Sequence, residues 1–414
     1  MSSNTQIKKD YFWNTLGSAM SAVASVLLLM VVTQSLGAYV GGIFALAFAV
    51  AQQFQTLGQY EVRPYQATDV EDKFSFGVYY AARIVTCGLM IAGIVLYAIY
   101  SNGLGYEAVL LVLVGWLRFF DAFEDVFHGM FQQRGRLDIA GKAFFWRVLS
   151  TVVSFSVTAF LARDIFVACV VSIVVSTITF VVLNIPPARS FVTIKPIFDF
   201  KKIRQLLVAC FPLFLGSFLL MYLVNAPRYG IEEVLSKEFQ TYYAILFMPA
   251  MVINLISGFI FKPLLTTLAN HWKNGSRRGF ASIIAKGLAA VAVTSVFALV
   301  VAYFIGIPVL SFLYGVDLSG YRPVLMTLLV GGAFNAASVI LYYGLITTRH
   351  QGAILPGYAI AALAALLFSR LSIEQFGMMG AAYLYDGVMV LLVVIFAALN
   401  VYFVKRAAGV SKRP

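Results

Sequence analysis

Over 414 residues the sequence is 61% hydrophobic and only 12% charged, about half the charge of an average soluble domain, which excludes a soluble globular protein and leaves a polytopic helical membrane protein. Unbroken apolar runs of roughly 20 residues exclude the alternating strands of an outer-membrane barrel. The net charge of +12 does not imply nucleic acid, because the basic residues collect in alternate loops.

Twelve spans are expected in chain order, at 11–34, 38–60, 77–100, 106–130, 142–162, 165–185, 206–226, 239–261, 281–305, 322–347, 354–371 and 377–404. The first follows a polar lead with Lys8 and Lys9. It reads as a retained helix and not a cleaved signal peptide, because the later spans need it for even pairing. One set of loops carries Lys8, Lys9, Arg63, Lys73, Arg134, Arg136, Lys142, Arg189, Lys195, Lys201, Lys202, Arg204, Lys273, Arg277, Arg278, Arg349, Lys405, Arg406, Lys412 and Arg413. The other carries Arg163, Arg228, Lys237, Arg322 and Arg370. This bias puts both termini on the cytoplasmic side.

The segment 186–205 opens on Pro186-Pro187 and carries five basic residues. It divides the chain into an N-terminal six-helix lobe (1–188), a basic cytoplasmic linker (189–205) and a C-terminal six-helix lobe (206–414). Two echoes suggest a duplication. Leu36 with Phe44-Ala45-Leu46 resembles Leu235 with Tyr243-Ala244-Ile245, and Gly129 to Arg134 resembles Gly344 to Arg349. Six spans per copy make parallel repeats, an architecture that places substrate in a central cavity between halves.

Polar residues inside the spans are the functional candidates. At 100° per residue, Arg118, Asp121, Asp125, His128 and Gln132 of the fourth span fall within about 80° of one another, with Glu124 at the edge. Trp116, Phe119, Phe120, Phe123, Phe127, Met130 and Phe131 take the other side. Arg118 stands about 15 Å past Ala108, near the middle of the hydrocarbon core, so it should face protein or water. The pairs Arg118–Asp121 and Glu124–His128 are at helix-neighbour spacing. Three carboxylates against one arginine leave an excess of acid, which needs a basic side chain from another helix or a bound cation.

Gln52, Gln55 and Gln59 share one face of the second span, either lining a cavity or joining helices. Asn225-Ala226-Pro227-Arg228-Tyr229 ends the seventh span. Arg228 there is either an interfacial arginine or a guanidinium offered to an anionic substrate. Asp386 in the twelfth span is a proton or cation carrier, or else a carboxyl tied to a tyrosine or backbone group. Lys262, Arg83 and Arg147 fit snorkelling near the ends of their spans. Cys87, Cys169 and Cys210 read as small apolar side chains with no disulfide framework. The histidines lack metal-ligand spacing, and no metal or cofactor is expected.

In the order and spacing of its short motifs the chain resembles the polysaccharide (O-unit) flippases of the multidrug/oligosaccharidyl-lipid/polysaccharide exporter superfamily. The residues are Leu36 to Leu46, Asp125 to Asp138 with Gln132-Gln133-Arg134-Gly135-Arg136, Asn225 to Tyr229, and Leu313-Tyr314-Gly315 followed by Tyr321. Lipid II flippases, which typically have two further spans, and drug exporters of that superfamily are less similar. The resemblance implies a bacterial inner-membrane transporter, not an enzyme. Its substrates would be undecaprenyl-diphosphate-linked oligosaccharides, flipped by alternating access for lipopolysaccharide or capsule. Arg118, Arg228, Arg63, Arg83, Gln52, Gln55 and Asn225 would contact the diphosphate or glycan, and Asp121, Glu124, Asp125 and Asp386 would couple H+ or Na+ or set the cavity charge. Polysaccharide assembly proteins are the implied partners. An ion-coupled drug exporter and an integral membrane glycan polymerase or glycosyltransferase are the alternatives.

Overall fold

A bilayer offers no water to unpaired backbone groups, and an α-helix pairs them internally. Regular structure among the described residues is accordingly all helical. The computed structural model describes residues 2–69, 71–261, 264–348 and 350–410. Lys262, Arg349, Lys412 and Arg413, which carried part of the loop-charge and span-end readings, lie outside the described residues.

The helices are α1 (Ser2–Leu36), α2 (Ala38–Gln59), a short α3 (Val62–Thr68), α4 (Phe76–Asn102), α5 (Tyr106–Gln133), α6 (Leu137–Ala162) and α7 (Ile165–Arg189). After the linker come α8 (Phe200–Val234), α9 (Lys237–Phe261), α10 (Leu265–Lys273), α11 (Arg277–Val301), α12 (Ile307–Tyr314), α13 (Arg322–Thr347) and α14 (Ile354–Val410). A π-helical turn, Ala302–Gly306, joins α11 to α12 just ahead of Pro308. Proline donates no backbone hydrogen bond, which accounts for the altered register there.

Among the described residues ten stretches are long and apolar enough to cross a membrane. The helix α5 is not among them, because Arg118, Asp121, Glu124 and Asp125 crowd its middle. The α14 run counts once although Gly377, at φ 57° and ψ −134°, breaks it into two legs. With α5 and the second leg, twelve membrane-length rods result among the described residues. The legs run antiparallel, since Ser372 Oγ donates to the Gly380 carbonyl at 2.8 Å and Tyr358 meets Phe396 with ring centroids 5.3 Å apart. The eleventh span therefore runs on to the turn, past the expected end at 371. Likewise α1 and α8 extend well beyond the spans expected for them.

Contacts divide the chain into two compact units, Met1–Met221 and Tyr222–Pro414. In the first, α5 is the central rod and touches α2, α3, α4, α6 and α7, while α1 packs chiefly on α6. In the second, α13 is central and touches α9, α10, α11 and both ends of the α14 region. The two rods cohere by different physics. The aromatic side of α5 packs through Phe119 on Phe123 (5.2 Å) and through Phe123 and Phe127 on Phe180 of α7 (5.6 Å each). Small residues let α13 approach its neighbours closely. A side chain at Gly332 would meet the Ala250 backbone of α9 at 3.0 Å, and Asn400 of α14 donates to the Leu341 carbonyl at 2.9 Å.

Candidate functional site

The polar stripe of α5 forms as the spacing predicts, and its exposure falls along the rod: Arg118 and Asp121 are half-buried, while Glu124, Asp125 and His128 are buried. Arg118 Nη1 donates to Asp121 Oδ2 at 2.6 Å, the i,i+3 pair expected. His128 Nε2 stands 3.9 Å from Glu124 Oε2. The excess of acid on α5 is met by arginines from three other helices.

Arg147 of α6 donates from Nε to Glu124 Oε1 at 2.8 Å and reaches Asp121 Oδ1 with Nη2. Arg83 of α4 donates from Nη2 to Asp125 Oδ2 at 2.9 Å and from Nη1 to the Gly58 carbonyl. Arg63 of α3 lies 3.3 Å from Asp125 Oδ1 and donates from Nε to Gln132 Oε1 at 3.2 Å. Four guanidinium groups thus pair with three carboxylates. Glu61, beside this network, spends its carboxylate on Ser217 Oγ at 2.6 Å.

The snorkelling reading of Arg83 and Arg147 is overturned. Their side chains are 0% and 2% exposed. Both are turned into the α5 network, Arg83 to Asp125 and Arg147 to Asp121 and Glu124. A charge this far inside must be paired, since an unpaired one costs several kcal/mol.

A pattern emerges from these pairings. Asp121 is shared by an inner arginine, Arg147, and an outer one, Arg118. Asp125 is shared by an inner Arg83 and an outer Arg63. The outer members are more accessible, at 13% for Arg118 and 28% for Arg63. Arg118 also stacks over Phe48 of α2 at 3.9 Å and lines a crevice of about 40 Å3 with Ser21, Ser25, Asp121, Arg147 and Thr151. That volume suffices for water.

Among the glutamines, Gln52 and Gln55 are half-buried, as is Gln59. Their neighbour Gln53, which the periodicity passed over, is buried and donates to the Phe218 carbonyl at 2.9 Å.

The remaining candidates belong to the second unit. Arg228 is not at a helix end: α8 runs through Pro227 to Val234. It is 9% exposed, 5.8 Å from the Phe247 ring centroid, and no carboxylate among the described residues pairs with it. Asn225 beside it is 2% exposed. The hydroxyl of Tyr243 has no partner among the described residues, though the residue is within electrostatic reach of Arg228 and Asp386. Asp386 is half-buried against Gly331 of α13, where any side chain would strike its carboxylate. Cys87, Cys169 and Cys210 are free and buried. Among the described residues no group of three or more His, Cys, Asp or Glu side chains is placed to hold a metal ion.

No family model matches the chain. It is similar to the capsular polysaccharide biosynthesis protein CapF of Staphylococcus aureus, 21% identical over 382 residues that cover 90% of this chain and 94% of that protein. Among solved structures it is similar to the lipid II flippase MurJ in an inward closed conformation, with a TM-score of 0.70 and 12% identity over 92% of this chain and 86% of that one. It is also similar to the eukaryotic MATE transporter AtDTX14, with a TM-score of 0.63 and 12% identity over 98% and 99% of the two chains. At such identities the likeness shows the fold, which is that of MATE transporters and of MurJ.

Proposed function

We propose that this chain flips undecaprenyl-diphosphate-linked oligosaccharide repeat units from the cytoplasmic to the outer leaflet of a bacterial inner membrane, by alternating access, for surface polysaccharide assembly. Both termini are cytoplasmic on this reading. One observation carries it: each shared carboxylate of α5 holds an inner and an outer arginine. An outer arginine can therefore leave its carboxylate for an incoming anion without exposing a bare buried charge, because the inner one stays. Breaking a singly paired buried bridge costs about 3–5 kcal/mol, and the shared arrangement avoids that cost.

Arg118 and Arg63 are then the diphosphate contacts, since a guanidinium fork matches phosphate oxygens bidentately. Arg83 and Arg147 are positioning residues. Gln52 and Gln55 offer hydrogen bonds to sugar hydroxyls, Arg228 and Asn225 serve the second unit, and Asp386 carries the coupling H+ or Na+. The likeness to a capsule biosynthesis protein supports a glycan cargo, as does the fold shared with a lipid flippase. A cationic drug would meet guanidinium groups first, which weighs against the drug-exporter alternative, and a glycan polymerase would need acids free to act, whereas those of α5 are held in ion pairs.

The test is Arg63→Ala combined with Arg118→Ala in cells that depend on this protein for surface glycan. The variant should reach the membrane folded, with lipid-linked units accumulating on the inner leaflet. Normal surface glycan in that variant would remove the reading, and drug sensitivity on its loss would favour the exporter.

A further inference from the structure

The first three turns of α8 carry Phe200, Val208 and Phe211 on an exposed side. Contact with lipid alone would account for them, but they also edge an open crevice of about 330 Å3 between α8 and the corner that follows α2. Ile203 and Leu207 form its floor and Tyr60 its far wall.

That wall is braced. Tyr60 and Glu61 both have left-handed backbone, at φ 48° and 51°, which side chains other than glycine adopt only where their surroundings hold them. Here the Tyr60 ring stacks on Phe214 of α8 with centroids 4.3 Å apart, and the Glu61 carboxylate accepts from Ser217 Oγ at 2.6 Å. The crevice is therefore preformed and does not depend on a guest to open it.

Its mouth is basic. Lys195, Lys201, Lys202 and Arg204 fall close together in sequence, with Asp199 the one acid among them. Asp199 caps α8, accepting from the Lys201 and Lys202 amides at 3.1 Å each, and its other oxygen lies 3.8 Å from Lys202 Nζ. Lys201 and Arg204 are exposed and have no acidic partner among the described residues. At i,i+3 spacing they are neighbours on the helix surface. Arg204 borders the crevice, and Phe211 closes it about 10 Å further along the rod. A pair of cations thus stands at one end of an apolar slot.

We infer that this crevice holds an anionic phospholipid, with its phosphate on Arg204 and Lys201 and one acyl chain between Tyr60 and α8. Basic pockets at the ends of membrane helices suit acidic headgroups, and a guanidinium binds phosphate through charge-assisted hydrogen bonds. A zwitterionic headgroup would bring its own ammonium up to these cations. Free phosphate would leave the apolar slot unfilled. The site does not depend on the flippase reading. On the orientation proposed above, its lipid comes from the cytoplasmic leaflet.

The test titrates purified full-length protein with phosphatidylglycerol and, separately, with phosphatidylcholine, and follows the tightest-bound lipid by native mass spectrometry. Phosphatidylglycerol should bind about tenfold more tightly than phosphatidylcholine. Lys201→Gln combined with Arg204→Gln should abolish that preference. Val208→Trp, which fills the slot from an exposed position, should weaken both lipids. Equal affinity for the two lipids in the parent overturns the proposal, as does a preference that survives the double variant or binding unchanged in Val208→Trp. Displacement of phosphatidylglycerol by an equal concentration of inorganic phosphate would make this a free-phosphate site. Displacement by an equal concentration of undecaprenyl diphosphate would make it a site for the cargo. Either result overturns the assignment to phospholipid.

Discussion

Arg147 and Glu124 meet inside the first unit through a 2.8 Å hydrogen bond from Nε to Oε1, and the same guanidinium holds Asp121 one turn away. One cation on α6 thereby fixes two carboxylates on α5. Arg147→Ala leaves Glu124 with no cation and should destabilise the fold by about 3–5 kcal/mol. Arg147→Met with Glu124→Leu should recover much of that loss, because a packed apolar pair avoids the desolvation cost. Thermal unfolding of Arg147→Ala, Arg147→Met, Glu124→Leu and the double checks this. A double variant as weak as Arg147→Ala alone would show that the pair is not coupled.

The loop before α4 is organised by Asp69. Its carboxylate accepts hydrogen bonds from the Lys73 and Phe74 amides at 3.0 and 3.1 Å and from the Tyr79 hydroxyl at 2.8 Å. Burial works to raise the acid, but these bonds outweigh it and hold Asp69 below its ordinary value of 3.8. The group therefore stabilises the loop fully above about pH 4, and the stabilisation is lost as pH falls below that. Hydrogen exchange at Lys73 and Phe74, normalised to the intrinsic rate, should stay slow at neutral pH and accelerate in acid. Asp69→Ala should make it fast throughout.

In the second unit the contact between α13 and α14 depends on a missing side chain. A Cβ at Gly331 would meet Tyr385 Cδ1 at 2.5 Å as well as the Asp386 carboxylate. Gly331→Ala should cost about 1–3 kcal/mol by overpacking, and Asp386→Ala in the same chain should relieve part of it. Gly216→Ala, with open space around it, should be neutral or slightly stabilising in its helix. Melting temperatures of the three variants decide the matter.

All three cysteines are at most 1% exposed. A thiol-reactive maleimide should leave the folded protein unlabelled and modify three sites on unfolding, which makes labelling a measure of fold integrity for every variant above. Rapid labelling of the native protein would contradict the packing around Cys87, Cys169 and Cys210.

The stripe of α5 was legible because a helix repeats every 100°, so charges at 118, 121, 125 and 128 must share a side. Their partners were not. Arg63, Arg83 and Arg147 are single basic residues on three different helices, and each alone looks like an arginine reaching for headgroups. Only the three-dimensional packing shows that they converge, and with it the sign of the cluster changes from acidic to basic. The central role of α13 was equally hidden, since its contacts are made by glycines and uncharged side chains, which carry no periodic charge. Of the two echoes, Phe44 and Tyr243 lie in α2 and α9, and Gly129 and Gly344 lie in the last turns of α5 and α13.

The turn at Gly377 bears on how the protein is made. A single residue with φ 57° reverses the chain, so no tether exists that would let one leg of α14 enter the bilayer while the other waits outside. These last two rods must leave the translocon as one hairpin, and a branched residue at 377 should strand both at that step of biogenesis.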